Sequence, residues 1–270
     1  MQTIQINGRG LSYIDAGAGP PVLFGHSYLW DAEMWRPQVD ALSDTYRCIV
    51  PDLWGHGRSD PVTGRVYSLD RLADDYTAFV DALGLERFAV VGLSIGGMWG
   101  YRLALRMPER VSGLVLLGTD VGAEPRASHR RFKWMMRVTK VRRRLHPRMI
   151  DAMMPLFFSD TTLWDRTDLV ASFRAGLEAI PPDRLRGILA IGRGIFDRPD
   201  RTATLAEIRC PTRVIVGEHD RSRPPWESRR MADGISGADL HVLENAGHIC
   251  NLEAPERVTN LLRDFLSRTA

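Results

Sequence analysis

Ser94 lies where an apolar run of the sequence gives way to a helical pattern, within Gly92-Leu93-Ser94-Ile95-Gly96. A serine hydroxyl is a weak nucleophile, and it needs a base that an acid holds in place. A glycine two residues away on either side allows a very tight strand-to-helix turn, which exposes the serine at the positive end of the helix. The pattern predicts that Ser94 is a catalytic nucleophile. The alternative is a glycine-rich turn that only connects two elements.

Ser94 requires a base and an acid, and in folds that carry a G-x-S-x-G motif at a strand-to-helix turn the acid and then the histidine follow the serine in the chain. Among seven histidines, His248 follows the last predicted strand, in a loop that leads to the C-terminal helix. That loop carries His248 over the carboxyl ends of the strands, toward Ser94. Asp220, directly after the penultimate strand, is predicted to accept the second ring N–H of His248 and to hold the ring in place. Asp120, which follows the preceding strand, remains an alternative acid.

Short apolar runs alternate with longer helical patterns, which predicts an α/β fold with a mostly parallel, eight-stranded sheet flanked by helices. Uninterrupted runs such as Ala89-Val90-Val91 indicate strands that are covered on both faces. The first two strands flank a turn-rich spacer and are predicted to form an antiparallel hairpin at one edge. The predicted strands are residues 3–6, 11–15, 22–25, 47–51, 88–92, 111–117, 212–217 and 239–244.

The interval 120–204 differs from the rest of the chain in composition. It holds 17 basic and 10 acidic residues, a net charge of +7, whereas the remainder holds 19 basic and 23 acidic residues, a net charge of −4. Its helical periodicity and proline breaks begin after the sixth strand. We therefore predict a helical cap over 120–204, inserted into a core domain formed by 1–119 and 205–270.

Basic and apolar residues interleave within this predicted cap, around Arg142-Arg143-Arg144, in an amphipathic pattern. We expect a solvated basic face with an apolar face packed on the body. The alternative is attraction of anionic substrates or anionic lipid surfaces. The basic residues lack the spaced aromatic platform of a nucleic-acid-binding protein, so no nucleic-acid partner is expected.

The overall composition is typical of a globular protein, with 44% hydrophobic and 26% charged residues in a chain of 270. No apolar run approaches the ~20 residues of a membrane span, and the first residues lack the pattern of a signal peptide. The cysteines Cys48, Cys210 and Cys250 are few and widely spaced. They predict a reducing, cytoplasmic location without a disulfide framework or a metal site.

Together these residues resemble the α/β-hydrolase superfamily, and the resemblance extends over essentially the whole chain. It includes the motif at 92–96, Gly247-His248, and Pro51-Asp52-Leu53-Trp54-Gly55-His56-Gly57-Arg58-Ser59, which is similar to the family's D-x-x-G-x-G-x-S turn. Within the superfamily the chain looks most like carboxylesterases, cofactor-free haloperoxidases (perhydrolases) and enol-lactone hydrolases. The resemblance implies the α/β-hydrolase fold and a serine hydrolase that cleaves small to medium carboxylic esters or lactones through an acyl-enzyme. It implies a small-molecule substrate and no metal or other cofactor.

The resemblance also implies which groups surround the reacting carbonyl. The backbone N–H groups of Tyr28 and Ile95 would form the oxyanion hole. Ser27 stands where the family usually has glycine, and its Oγ either binds substrate or, as we expect, satisfies the local backbone. Methionine and aromatic side chains suit apolar groups of moderate size, so we predict a set of substrate-binding residues. They are Ser27, Trp30, Met153, Phe157, Phe158 and Trp164.

Two other functions are compatible with the same resemblance, because this fold hosts many reactions. A hydrolase that cleaves a carbon–carbon bond in a vinylogous diketone uses the same triad. Some relatives keep the pocket and serve only as ligand-binding proteins. An intact triad favours an enzyme.

Overall fold

The apolar runs form eight strands of one sheet in the computed structural model, which describes residues 1–269. Alternate residues of the buried strands point to opposite faces, so each run needs apolar side chains throughout. The strands are β1 (Gln2–Ile6), β2 (Arg9–Ala16), β3 (Pro21–Gly25), β4 (Arg47–Pro51), β5 (Phe88–Leu93), β6 (Val111–Leu117), β7 (Thr212–Gly217) and β8 (Asp239–Leu243).

The order of the strands across the sheet is β1-β2-β4-β3-β5-β6-β7-β8. β2 runs antiparallel to its neighbours β1 and β4, and the other neighbouring strands are parallel. The hairpin predicted at one edge is present, with Asn7 and Gly8 at positive φ angles of 51° and 75° in its turn. The predicted fold class is therefore confirmed.

Helices follow most of the strands, and those outside the segment between β6 and β7 cover both faces of the sheet. Within the described residues, none of the helices is long and apolar enough to cross a membrane. The helices are α1 (Arg36–Leu42), α2 (Leu69–Ala82), α3 (Ile95–Arg106), α4 (Arg126–Arg142), α5 (Pro147–Phe157), α6 (Asp160–Asp165), α7 (Thr167–Glu178), α8 (Pro182–Phe196), α9 (Pro225–Gly234), α10 (Cys250–Glu253) and α11 (Pro255–Thr269).

The core consists of two clusters, one on each face of the sheet. Val90 of β5 belongs to the cluster that includes Trp99 of α3, whereas its neighbour Val91 belongs to the cluster that includes Phe265 of α11. This alternation follows from the two-residue period of a strand. The central strands are thereby fixed from both sides, and their carboxyl ends form a rigid edge for a site.

The helices α4 to α8 occupy the chain between β6 and β7, where the sequence predicted an insertion. Local signals start and end several of them. Pro147 stands in the first turn of α5, Ser159 Oγ accepts the N–H of Thr162 at the start of α6 (3.1 Å), and Arg143 ends α4 with a φ of 55°. We propose that these helices are the cap, and we retain 120–204 as its bounds.

Buried ion pairs join both ends of this helical segment to the loop after β7. Arg198, which follows α8, donates Nη1 to Glu124, which precedes α4, at 2.9 Å. Arg223, after β7, donates Nη2 to the same carboxylate at 2.7 Å. Burial opposes ionisation of Glu124, but the two guanidinium groups outweigh it and lower the pKa of this carboxyl. The segment is thus anchored by charges that are shielded from solvent.

Candidate active site

Ser94 stands alone between the end of β5 and the start of α3. Its φ of 57° and ψ of −119° are unusual for a residue with a side chain. A Cβ on Gly92 would collide with the backbone of Gly96, and a Cβ on Gly96 would collide with the backbone of Gly25. Only glycines permit this close passage of strand, turn and helix. The turn presents Ser94 at the carboxyl edge of the sheet, as the sequence predicted.

His248 and Asp220 meet at the same edge. His248 Nδ1 lies 2.8 Å from Asp220 Oδ2, and both side chains are almost fully buried. The other oxygen, Oδ1, accepts the backbone N–H groups of Ser222 (2.9 Å) and Arg223 (2.7 Å). An ionised carboxylate only accepts hydrogen bonds, so the His248 Nδ1–H donates and Nε2 keeps its lone pair. That lone pair can take a proton.

Asp120, the alternative acid, is engaged elsewhere. Its Oδ1 accepts from Arg230 Nη2 at 2.6 Å, and its Oδ2 accepts the N–H of Gly122 at 3.0 Å. Its Oδ2 also lies 3.7 Å from Arg198 Nη2. The structure therefore brings Asp220, and not Asp120, into contact with His248.

Glu253 of α10 positions the loop that carries His248, a role that the sequence did not reveal. Its Oε1 accepts the N–H of Gly247 and its Oε2 accepts the N–H of Ser159, both at 2.9 Å. Beside them, the N–H of Ile249 donates to the carbonyl of Phe157 at 3.1 Å. One carboxylate thus connects the histidine loop to the helices between β6 and β7.

Ser94 and His248 line the same cavity, which holds about 90 Å³ of free space under α4, α5 and α8. Four other predicted site residues, Tyr28, Ser27, Met153 and Phe157, also line it. The rest of the lining is mostly apolar and was not singled out from the sequence. It includes Leu29, Met98, Phe132, Met135, Met136, Leu145, Met149, Leu156, Leu185, Ile188, Leu189, Ile195 and Phe196.

The sequence contained one usable signal for the missed lining residues. Phe132, Met136 and Thr139 recur every three or four residues, which places them on one face of α4. That face was predicted to pack on the body, and it turns out to border the cavity. Arg223 also lines the cavity, and no local pattern pointed to it.

Three of the predicted substrate-binding residues do not line this cavity. The side chain of Trp164 is 83% exposed, because α6 turns it outward. Phe158 is buried in the core and packs edge-on against Phe173, 5.7 Å between ring centroids. Trp30 stacks on the same Phe173 at 4.3 Å and borders a separate groove. Aromatic composition alone could not distinguish these positions from Phe157.

The loop proposed to stabilise an oxyanion is held by His26. The N–H of Leu53 donates to His26 Nε2 at 2.8 Å, so His26 carries its proton on Nδ1, which lies 2.8 Å from the carbonyl of Ser27. Burial lowers the pKa of His26 to about 3, which keeps the ring neutral. Next in the chain, the N–H of Tyr28 donates to no acceptor within residues 1–269. The N–H of Ile95 is in the first turn of α3, where no carbonyl of the helix is available.

The expectation that Ser27 Oγ satisfies the local backbone is wrong. The hydroxyl is buried and has no hydrogen-bond partner among the described residues, although Ser27 lines the cavity. Its backbone N–H points instead at Met34 Sδ, 3.3 Å away. The backbone N–H of Ser27 is therefore not available to its own hydroxyl, and the Ser27 carbonyl already faces His26 Nδ1.

The cavity offers no carboxylate or thiolate set for a metal. Among residues 1–269 there is no group of three or more His, Cys, Asp or Glu side chains arranged to hold an ion. The polar side chains at the cavity are mainly hydroxyls, His248 and the paired Arg223. What the arrangement supplies is an exposed hydroxyl, an imidazole with a buried carboxylate behind it, and backbone N–H groups without an acceptor in the part of the chain that the structure describes.

A family model described as the alpha/beta hydrolase family matches residues 22–261. The chain belongs to this family. The match includes Ser94, Asp220 and His248, so the family assignment and the geometry concern the same part of the molecule. The match confirms the resemblance to the α/β-hydrolase superfamily that the sequence of this hydrolase showed.

Solved structures of similar proteins extend over almost the whole chain. A thermophilic esterase from Thermogutta terrifontis is 32% identical, with a TM-score of 0.90 over 99% of both chains. The enol-lactonase from Burkholderia xenovorans LB400 is 27% identical, with a TM-score of 0.88 over 98% of this chain and 100% of its own. Among curated proteins, a 2-hydroxy-6-oxononadienedioate/2-hydroxy-6-oxononatrienedioate hydrolase of Escherichia coli K12 is 29% identical over 232 residues, 85% of this chain and 80% of the relative. The names of all three proteins specify a hydrolytic reaction.

Proposed function

We propose that this hydrolase cleaves small to medium carboxylic esters or lactones through a covalent acyl-enzyme. In this mechanism Ser94 is the nucleophile, His248 is the general base, and Asp220 orients His248 and stabilises its protonated form. The N–H groups of Tyr28 and Ile95 form the oxyanion hole. The observation that carries the proposal is the buried contact of 2.8 Å between His248 and Asp220 beside the strained turn that exposes Ser94 to the same cavity.

Acylation begins when Ser94 Oγ attacks the carbonyl carbon and its proton passes to His248 Nε2. The carbonyl oxygen becomes negatively charged, and the two N–H groups stabilise that charge as it develops. The proton on His248 then moves to the departing alcohol oxygen as the ester bond breaks. For a lactone, that oxygen remains attached to the acyl chain.

Deacylation repeats these steps with water as the nucleophile. His248 takes a proton from the water, whose oxygen attacks the acyl carbon and forms a second oxyanion. The intermediate collapses, Ser94 Oγ leaves with the proton from His248, and the carboxylic acid is released. The proton of Ser94 thus ends on the departing alcohol, a proton of water restores Ser94, and no atom changes its oxidation state.

The lining of the cavity supports an uncharged acyl group. Its walls are mostly methionine, phenylalanine, leucine and isoleucine side chains around a space of about 90 Å³. Arg223 is the one guanidinium in the lining within residues 1–269, and both Nη2 bonds of its side chain go to Glu124. Moving an anion into such a site without a free cation is costly. The names of two similar structures, an esterase and an enol-lactonase, agree with this preference.

Hydrolysis of a carbon–carbon bond is the second candidate. It is favoured by the Escherichia coli relative, whose name specifies a dienedioate substrate, which is a dicarboxylate. Such a substrate carries two negative charges. Arg223 offers them only Nη1, because Nη2 is bound to Glu124, and the charge of this guanidinium is already balanced by Glu124 and by Glu227, 3.6 Å from Nη1. We therefore rank an ester or lactone first. A third candidate is a protein that only binds ligands. It does not explain why His248 and Asp220 form a buried contact beside Ser94.

A fluorophosphonate probe tests whether Ser94 is an activated nucleophile. We expect rapid labelling of the folded protein and none of Ser94→Ala, and we expect turnover of an ester to fall by about three orders of magnitude or more in that variant. Ser27→Ala is the matched control, because this serine lines the same cavity but is not the proposed nucleophile. Equal labelling of wild type and Ser94→Ala would overturn the assignment, and absence of labelling in folded wild type would favour the ligand-binding alternative.

A substrate panel distinguishes the two enzymatic candidates. Short-chain p-nitrophenyl esters and unsubstituted lactones should be turned over, whereas a vinylogous diketone carrying a carboxylate should react at least about tenfold more slowly, a gap expected for one missing polar contact. Faster cleavage of the diketone would establish the second candidate instead.

We also propose a cytoplasmic location. Cys48, Cys210 and Cys250 are buried and unpaired, which is typical of proteins in a reducing compartment. Fractionation of the source cells with an antibody against the protein tests this.

A further inference from the structure

The segment 125–150, which forms α4 and the start of α5, is basic without interruption. It contains ten arginine and lysine residues and no aspartate or glutamate, whereas the rest of the chain holds 26 basic and 33 acidic residues. The net charge is therefore +10 in the segment and −7 elsewhere. Charges are usually mixed on a protein surface, so this separation requires an explanation.

The ten basic side chains of this segment are all exposed, and none forms an ion pair with a carboxylate within residues 1–269. Arginines elsewhere in the molecule commonly have such partners, for example Arg213 with Asp239 at 2.6 Å. The charges of the segment 125–150 are thus available to an external anion. They are Arg126, Arg130, Arg131, Lys133, Arg137, Lys140, Arg142, Arg143, Arg144 and Arg148.

Apolar side chains lie exposed among these charges. Trp134 is 60% exposed and Val141 is 83% exposed, and they stand two turns apart on α4. Together with Val138 they border an open groove between α4 and α5, which also contains Met149 and Ala152. Its other lining residues include Arg131, Arg137, Arg142 and Arg148, and no carboxylate.

We propose that this face of α4 and α5 docks on an anionic lipid bilayer. Guanidinium groups at such a surface attract lipid phosphates, while the stems of the arginines, Trp134 and Val141 enter the region between headgroups and acyl chains. The rest of the molecule, with its charge of −7, is repelled by the same surface. Attraction and repulsion together fix one orientation, with α4 against the lipid.

Other occupants fit this face less well. A second copy of the chain would bring two acid-free basic surfaces together, and like charges would oppose the contact. A nucleic acid would satisfy the arginines but would leave Val141 and Val138 against a polar backbone. An anionic bilayer suits both kinds of side chain, because its phosphates attract the arginines and its interior accepts the apolar groups.

The docked orientation has a consequence for the proposed active site. Phe132, Met136 and Thr139 on the inner face of α4 line the cavity that contains Ser94. The helix that contacts lipid is therefore also a wall of the cavity. Apolar substrates dissolved in the bilayer would therefore reach the protein on the side of the cavity that α4 covers.

Sedimentation with lipid vesicles tests the docking independently of catalysis, and Ser94→Ala protein serves equally well. The vesicles consist of phosphatidylglycerol, of phosphatidylcholine, or of equal parts of both. We expect partitioning that rises with the phosphatidylglycerol content, is absent on pure phosphatidylcholine, and weakens with salt because exposed charges are screened beyond about 8 Å. The combined variant Arg137→Gln, Arg142→Gln, Arg148→Gln should lose about a hundredfold in partition coefficient.

Two further variants separate the parts of the proposal. The matched control Arg58→Gln, Arg87→Gln, Arg209→Gln removes the same charge from exposed positions on the body, and its partitioning should change by less than about threefold. The double variant Trp134→Ser, Val141→Ser keeps every charge and should lose about tenfold or more through the apolar contact alone.

Four results would overturn the proposal. One is no partitioning on pure phosphatidylglycerol at low salt. A second is equal loss in the cap and body triple variants, which would indicate attraction by net charge without a defined face. A third is an unchanged affinity of the Trp134→Ser, Val141→Ser protein, and a fourth is tighter binding of duplex DNA than of the vesicles. Either of the last two would assign the surface to a polar polyanion.

Discussion

Ser94 shows at the scale of one residue how strain and chemistry are combined. A residue with a side chain at a φ of 57° and ψ of −119° costs about 1–3 kcal/mol. Two hydrogen bonds hold Ser94 there. Its N–H donates to the carbonyl of Leu117 at 2.9 Å, and Thr119 Oγ1 donates to the carbonyl of Ser94 at 2.7 Å. The same torsions that cost stability direct the hydroxyl away from the strand and into the cavity.

The choice between two carboxylates is a prediction at this scale. Asp220→Asn should lower kcat for an ester by about four orders of magnitude, because an amide can stabilise neither the required tautomer nor the protonated ring of His248. Asp120→Asn should change kcat of the folded enzyme by less than about tenfold, although loss of its charge beside Arg230 should weaken folding. Steady-state kinetics with circular dichroism on both variants checks this. A larger kcat loss in the Asp120 variant would mean that Asp220 is the wrong acid.

At the scale of elements, the two faces of α4 have different roles: one borders the cavity and the other is exposed to solvent. Its inner face contributes Phe132, Met136 and Thr139 to the cavity, and its outer face carries arginines and Trp134 into solvent. Helical periodicity keeps the faces apart, because residues three and four apart share one side. Changes on the outer face should therefore leave chemistry in the cavity nearly untouched.

The triple substitution Arg142→Gln, Arg143→Gln, Arg144→Gln tests this independence. These side chains are exposed and do not line the cavity. We expect kcat/KM for a neutral, water-soluble ester to stay within about threefold of wild type, and to be nearly independent of salt. A selective loss on esters that carry a carboxylate or phosphate, imitated by added salt, would show that the run attracts anionic substrates. A large loss of kcat/KM for a neutral ester in the folded variant would contradict the interpretation of these arginines as a solvated face.

The junction of the cap with the core is a second element-scale feature. Glu124 binds Arg198 from one end of the cap and Arg223 from the loop after β7, and the backbone N–H of Arg223 in turn binds Asp220. Removing one partner of a buried ion network leaves uncompensated charge in a medium that solvates it poorly. This junction should therefore matter for stability and for the position of Asp220, the proposed acid.

Glu124→Ala should lower the free energy of unfolding by about 3–5 kcal/mol, because two buried guanidinium groups lose their shared carboxylate. Urea unfolding monitored by tryptophan fluorescence measures the change. Glu207→Ala, at an exposed position, is the matched control and should stay within about 0.5 kcal/mol of wild type. A loss below about 1 kcal/mol for Glu124→Ala would mean that the network does not hold the cap to the core.

At the scale of the whole molecule, buried titratable groups influence stability in opposite directions. Burial lowers the pKa of His26 to about 3 and of His56 to about 4, so both favour the fold above pH 6.5 and cost stability as pH falls. Burial raises the pKa of Asp52 to about 6 and of Glu227 to about 7, and these acids favour the fold at low pH. The two effects partly cancel, so a single variant is more informative than the wild-type profile.

Glu227→Gln isolates one of these groups. The folded protein holds the Glu227 proton more tightly than the unfolded chain, so the contribution of this residue is greatest below pH 4.5 and is lost as pH rises to 7. Glutamine does not titrate. The stability of the variant relative to wild type should therefore rise by about 3 kcal/mol over that range. Urea unfolding at several pH values measures it, with Glu86→Gln as an exposed control, and a constant difference would contradict the assignment.

The sequence by itself determined the strands, the strand-to-helix turn at Ser94 and the position of His248 after the last strand. These features depend on local chemistry: β-branched runs favour extended backbone, and glycines at 92 and 96 permit a turn that other residues would block. Fold and motif follow from neighbours in the chain, so they could be predicted without knowledge of the packing.

Only the tertiary structure decided which acid contacts His248 and which side chains form the cavity. Asp120 and Asp220 both follow strands that end at the same edge, but Arg230 binds the first and leaves the second for the histidine. Phe157 lines the cavity whereas Trp164, seven residues later, is exposed. Periodicity shows that a helix has an apolar face, but which surface that face covers depends on contacts between elements distant in the chain.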